Sequence, residues 1–211
     1  MKTDDLIRAL AADTQAEPPP PRLILIGLIP ALAIAVALVW VTFGFRDDLL
    51  QSFGNPWSVM RFVLTGTLGL IGVRLALVLA RPEGRGLGLL WPFAAVAAVA
   101  LGLLVWAYLA TPAEGRQMAL LGKTLVTCLV AIPVLSILPV TAILVALRKG
   151  ATTTPALAGF VAGLGGSGFG AMAYSVHCVE DSPLFYVTWY GLAMVGVTLV
   201  STLIGARFLR W

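Results

Sequence analysis

Six runs of apolar residues, at 23–45, 59–80, 88–110, 119–147, 153–176 and 184–206, leave this chain few ways to fold. A helix rises 1.5 Å per residue, so about 20 apolar residues cross the roughly 30 Å hydrocarbon core of a bilayer. Four of the runs contain no Asp, Glu, Lys or Arg; the exceptions are 59–80, with Arg61 and Arg74, and 119–147, with Lys123. Strands of a membrane barrel alternate apolar and polar positions in segments of about ten residues, whereas these runs are apolar all round. Helices, which satisfy their own backbone groups, are the spanning option that remains. The composition agrees: 59% hydrophobic residues, 11% charged residues and a mean hydropathy of +0.96 lie outside the range of soluble domains.

The expected fold class is therefore all-α, a polytopic membrane protein of six transmembrane helices. The first run is too long for the ~7–15-residue core of a secretory signal, and no small-residue cleavage site follows it, so it reads as a retained helix. Two regions result, a tail at 1–22 that is too short to bury a core and a transmembrane domain at 23–211.

Short connections rich in Lys and Arg resist translocation, which orients the spans. Lys2, Arg8, Arg22, Arg81, Arg85, Arg148, Lys149, Arg207 and Arg210 fall on one side; the other side holds Arg46 and Arg116 against Asp47, Asp48, Glu114, Glu180 and Asp181. Nine against two places both termini in the cytoplasm; the expected location is the bacterial inner membrane. Trp40, Trp57, Trp106, Tyr108, Tyr186, Trp189 and Tyr190 near the outer ends, with Trp91 and Trp211 near the inner ends, read as interfacial belts. The pI of about 9.4 follows from this asymmetry; the basic residues are scattered in pairs, with no contiguous groove for direct nucleic-acid contact.

The tail opens MKTDDLIRALAAD and ends in the prolines Pro18 to Pro21. Thr3 suits a helix start, Asp4 and Asp5 suit its positive end, and Leu6, Ile7 and Leu10 share one side of two turns. A short amphipathic helix held off the membrane by a stiff proline spacer is expected, either as a helix-in-groove ligand or as a positive tail that only sets topology.

Arg61, Arg74 and Lys123 lie close enough to the span ends to snorkel, and no Asp or Glu lies inside a span to pair with them. The glycine-rich stretch 159–170 matches a dinucleotide fingerprint in letters only, since that motif needs a preceding strand; Gly159/Gly163 and Gly166/Gly170 read instead as small-xxx-small pairs in a tightly packed fifth helix. The last outer loop gathers His177, Cys178, Glu180 and Asp181, and the second cysteine, Cys128, falls in the outer half of the fourth run. Imidazole, thiolate and carboxylate together are metal-ligand or redox chemistry, with Cys178, His177 and Cys128 the candidate ligands for transient zinc or heavy-metal binding. The alternative is a polar turn and a buried cysteine of no chemical role, since there is no CxxC. No resident cofactor is expected.

The opening MKTDDLIRALAAD, the run His177-Cys178-x-Glu180-Asp181-Ser182-Pro183 continuing into Phe185, Trp189, Tyr190, Gly191 and Met194, and the lone Cys128 together resemble the NrsF family, negative regulators of an extracytoplasmic-function sigma factor of the SigF type. The resemblance implies a six-helix membrane anti-sigma factor, not an enzyme, whose partners are that sigma factor and membrane lipid. It further implies that Cys128 and Cys178, with His177, Glu180 and Asp181 beside them, sense metal or oxidative stress, and that Leu6, Ile7 and Leu10 contact the sigma factor. Two rivals stand beside it. A membrane thiol-disulfide oxidoreductase is disfavoured by the 50 residues between the cysteines, and a small-solute transporter by the lack of intramembrane acids and of a repeat.

Overall fold

The computed structural model describes residues 3–12, 19–84 and 86–210, with backbone only at 6 and 9–12. Lys2, Pro18, Arg85, Trp211 and the side chains of Leu6 and Leu10 thus lie outside the described residues. Among the described residues every regular element is helical: α1 (Thr3–Ala12), α2 (Pro20–Thr42), α3 (Leu49–Ser52), α4 (Pro56–Leu79), α5 (Trp91–Ala110), α6 (Ala113–Leu121), α7 (Leu125–Arg148), α8 (Pro155–Tyr174) and α9 (Pro183–Phe208), with a 3-10 turn at Leu87–Leu90 leading into α5. Six segments are long and apolar enough to cross a membrane, one for each expected run.

Proline sets several of the starts. Pro occupies the first turn of α2, α4, α5, α8 and α9, where its missing N–H has no intrahelical partner to lose. At α4 this is reinforced by Asn55, whose side-chain oxygen accepts from the Trp57 N–H at 3.1 Å. The same preference corrects the expected proline spacer. Pro19 is extended (φ −63°, ψ 150°), but Pro20 and Pro21 already belong to α2, so the helix begins inside the run.

The fourth run is also not one helix. It breaks at residues 122–124, where Gly122 adopts φ +56° and the Phe185 ring and Glu180 carboxylate pack so closely that a methyl group would collide with both. Lys123 therefore sits exposed in a turn rather than within a span.

Helix α8 is the hub. It packs most extensively against α9, α7 and α4, and its glycines serve all three contacts. Gly159 and Gly163 face Ser201, Thr198 and Gly205 of α9; Gly166 and Gly170 face Val140 and Ser136 of α7; Gly165 and Gly168 face Gly72 and Thr65 of α4. Lipid tails are as apolar as leucine, so association in a membrane rests on close van der Waals approach, which small residues permit. By contrast α5 is largely exposed and touches mainly α9 and α4.

The bundle has two distinct ends. At the tail end Pro19 to Pro21 gather with the connections around Arg81 and Lys149, and the Ala151 N–H donates to the Ala80 carbonyl at 2.8 Å. At the opposite end, the loop end, the close of α2, the start of α4, the α6–α7 turn and the α8–α9 connection meet.

Candidate functional site

The α8–α9 connection, residues 175–182, leaves the end of α8 in a tight turn in which the His177 and Cys178 N–H groups both donate to the Tyr174 carbonyl. This unwound backbone needs donors, and two arginines supply them. Arg61, from the first turns of α4, is fully buried (0% exposed). Its Nη1 donates to the Glu180 carbonyl at 2.7 Å, and its Nη2 donates to the Ser175 and Cys178 carbonyls at 3.2 and 3.1 Å. Arg46, from the α2–α3 connection, donates through Nη1 to the same Cys178 carbonyl at 3.2 Å and to Asp181 at 2.9 Å. Its Nε and Nη2 grip Asp48 at 2.7 and 2.8 Å.

The Cys178 carbonyl is thus held by both guanidinium groups. Asp181 bridges them, since its Oδ1 also lies 3.5 Å from Arg61 Nη1. Two cations face two anions, which is how buried charge is made tolerable. Outside the spans, the Arg46 guanidinium holds the Asp48 carboxyl below the usual carboxylate range, and the hydrogen bonds Arg46 donates to Asp48 and Asp181 raise its own value in turn.

Arg61 therefore does not snorkel. Its α4 position points it at loop carbonyls that have no helical partner, so turning inward gives it three acceptors. Its acidic partner comes from the loop rather than from a span.

Both cysteines are free, fully buried thiols. Thr124 Oγ1 lies 3.9 Å from Cys178 Sγ, and Cys128, whose N–H donates to the Thr124 carbonyl, follows one turn later on the same face of α7. The fold thereby sets Cys178 against the turn that carries Cys128, 50 residues away in sequence. The buried rings of Tyr174 and Tyr190, 5.9 Å apart, complete the surround. Tyr186 and Tyr190, expected in an interfacial belt, are instead 3% and 1% exposed because they face this loop-end core.

The remaining candidates are engaged elsewhere. His177 Nδ1 lies 3.0 Å from the Gly44 carbonyl and its ring stacks on Phe43. Glu180 accepts from the Lys123 backbone N–H at 2.7 Å and so pins the α6–α7 turn. Among the described residues no three His, Cys, Asp or Glu side chains stand together in a way that could hold a metal ion. What the arrangement offers chemically is two buried thiols, one in the arginine-clamped loop and one on the adjoining turn of α7. Sequence reasoning passed over Arg46, Thr124 and Tyr174; an arginine within an apolar run was the one signal of the clamp.

At the tail end α1 forms over Thr3–Ala12 with Asp4 and Asp5 in its first turn. Ile7 is 58% exposed there.

Residues 10–211 match the family described as "Negative regulator of sigma F", NrsF. The chain is 37% identical over 218 residues, covering 100% of both sequences, to a Caulobacter vibrioides protein named anti-sigma-F factor NrsF. It is 30% identical over 238 residues, again covering 100% of both, to a probable anti-sigma-F factor NrsF of Azospira oryzae. No solved structure matches the chain.

Proposed function

Because the chain belongs to the NrsF family, and so to the negative regulators of sigma F, we propose that it holds an extracytoplasmic-function sigma factor at the inner membrane through α1 and releases it when its thiol pair is oxidised. In this reading both termini are cytoplasmic, as the distribution of Lys and Arg favours, and the loop end faces the periplasm. The sigma factor docks on the apolar face of α1, with Leu6, Ile7 and Leu10 as contacts. A ten-residue helix is marginal in water and gains its order from such a surface.

One observation carries the sensing half of the proposal. The Cys178 residue touches α7 through its sulfur and both arginines through its carbonyl, so a change at the sulfur acts directly on the clamp that ties α2, α4 and α8–α9 together. A peroxide supplies a balanced route: one thiolate attacks the O–O bond to give a sulfenic acid, and the second thiol displaces water to form the disulfide. Bridging the cysteines draws the start of α7 against the loop. About 1–3 kcal/mol of difference between the two packings is enough for a 5- to 150-fold change in sigma-factor affinity. His177 and Glu180 are held by their own partners, so in this reading the thiols carry the step alone.

The test uses a sigma-F-dependent reporter in cells carrying the full chain. Cys128→Ser and Cys178→Ser are each expected to abolish induction by peroxide while leaving repression intact. Ile7→Asp combined with Leu10→Asp is expected to give constitutive expression. Normal induction in both serine variants would sink the sensor assignment, and full repression by the doubly charged tail would sink the docking helix.

A further inference from the structure

Arg74 lies on α4 about 7.5 Å of helix rise inside its last residue, Leu79, and its side chain is exposed on the outer surface of the bundle. In a chain that spans a bilayer, that surface faces lipid. An arginine at such depth needs a partner, because hydrocarbon supplies neither water nor an acceptor. Arg61 of the same helix finds its acceptors by turning inward to loop carbonyls. Arg74 does not: among the described residues its guanidinium donates to no carbonyl or carboxylate.

Arg74 lines a groove of about 580 Å³ at the tail end of α4, with Val78, Arg81 and Glu83 among its other walls. Arg81, exposed at the close of the helix, is likewise unpaired among the described residues, and Glu83 forms an ion pair with neither arginine. Two cations against one acid leave one positive charge in excess. Along the same side α4 is otherwise apolar. Val63, Leu70 and Val78, all exposed, are reached from Arg74 in steps of four or seven residues, which return to one face of a helix.

The partner that fits this pattern carries oxygen acceptors at the depth of the helix end, one net negative charge and a chain that covers an apolar stripe. A guanidinium grips phosphate oxygens as a fork, and basic grooves at the ends of membrane helices take lipid head groups on that principle. We propose that this groove binds an anionic phospholipid, its phosphate accepting from Arg74 and Arg81 and one acyl chain lying along Leu70 and Val63. A zwitterionic lipid offers the same phosphate but brings its own cation, which the excess positive charge of the groove disfavours. The site stands on the membrane span alone and involves neither α1 nor the thiols. A lipid held there anchors the tail end of the helix whose opposite end carries the arginine clamp.

The experiment titrates phosphatidylglycerol into the full chain in dodecyl maltoside and reads bound lipid by native mass spectrometry, against phosphatidylcholine of the same acyl chains. Wild type is expected to bind phosphatidylglycerol the more tightly. Arg74→Gln and Arg81→Gln are each expected to weaken that binding about fivefold, the worth of one basic residue at a membrane surface, with the melting temperature in lipid-free detergent unchanged for Arg74→Gln. Arg210→Gln, which removes a charge from the same end outside the groove, is expected to leave it unchanged. Equal affinity of wild type for the two lipids, equal affinity of wild type and Arg74→Gln for phosphatidylglycerol, or an equal loss in Arg210→Gln overturns the site. Displacement of the lipid by excess inorganic phosphate overturns the lipid assignment in favour of a free-anion site. Should Arg74→Gln fail to fold, Glu83→Gln decides: removing the competing acid is expected to tighten phosphatidylglycerol binding roughly two- to fivefold, and unchanged affinity overturns the proposal.

Discussion

Arg61 is the residue on which the loop end turns. Its guanidinium donates to three carbonyls of one connection; truncating the side chain strips the donor from those of Ser175 and Glu180 and leaves that of Cys178 to Arg46 alone. Breaking a buried charge pair by removing one partner typically costs about 3–5 kcal/mol, so Arg61→Met is expected to lower the stability of the detergent-solubilised protein by that order in a denaturant titration. Arg61→Lys is expected to recover little of it, because an ammonium cannot fork to carbonyls in different directions. A loss below about 1 kcal/mol for Arg61→Met would mean the loop is held by Arg46 alone. Arg46 makes a separate prediction about pH. It depresses the Asp48 carboxyl, so this pair stabilises the folded state above the ordinary carboxylate value of about 3.9 and ceases to do so as pH falls through the lower folded value. Wild type and Asp48→Asn are therefore expected to differ in melting temperature at neutral pH and to converge on acidification towards pH 3. Divergence that grows with acid would reverse the sign and refute the assignment.

At the scale of elements, the packing of α8 discriminates between glycines that look alike in sequence. A methyl group on Gly165 would lie 2.6 Å from the Gly72 Cα, a backbone atom that cannot step aside, whereas one on Gly196 of α9 meets nothing within 4 Å. Gly165→Ala is accordingly expected to destabilise by roughly 1–3 kcal/mol through forced separation of α8 and α4. Gly196→Ala is expected to be neutral or to stabilise by up to about 1 kcal/mol, since alanine is the better helix former. Unfolding of both variants in mild denaturant checks the contrast; equal effects would mean that helix propensity and not close packing governs. The small-xxx-small spacing at Gly159/Gly163 and Gly166/Gly170 was legible because that spacing has a packing meaning in lipid. Which neighbour each glycine serves was not, because rotation about the helix axis distributes them over three partners that the sequence does not name.

For the whole molecule, the proposed orientation puts the loop end outside and the tail end inside. Site-directed labelling in intact cells is expected to find positions 47 and 114 accessible from outside and position 149 accessible only after permeabilisation. Labelling of 114 and 149 from the same side would remove the basis for transmembrane signalling. The number and approximate limits of the spans, and the charge asymmetry of their connections, were set by the sequence alone, because the bilayer imposes a length and a polarity that any chain must meet locally. Helix limits moved by only a few residues where proline chose the first turn, and the fourth run broke where Gly122 meets Phe185 and Glu180 from a distant segment. What only the tertiary structure decided was pairing across the bundle: Cys178 with the α7 turn that carries Cys128, both arginines with one carbonyl, and Tyr186 and Tyr190 turned inward rather than to the interface. These depend on which helices are neighbours and how each is rotated, and a uniformly apolar helix carries no face in its sequence from which that rotation can be read.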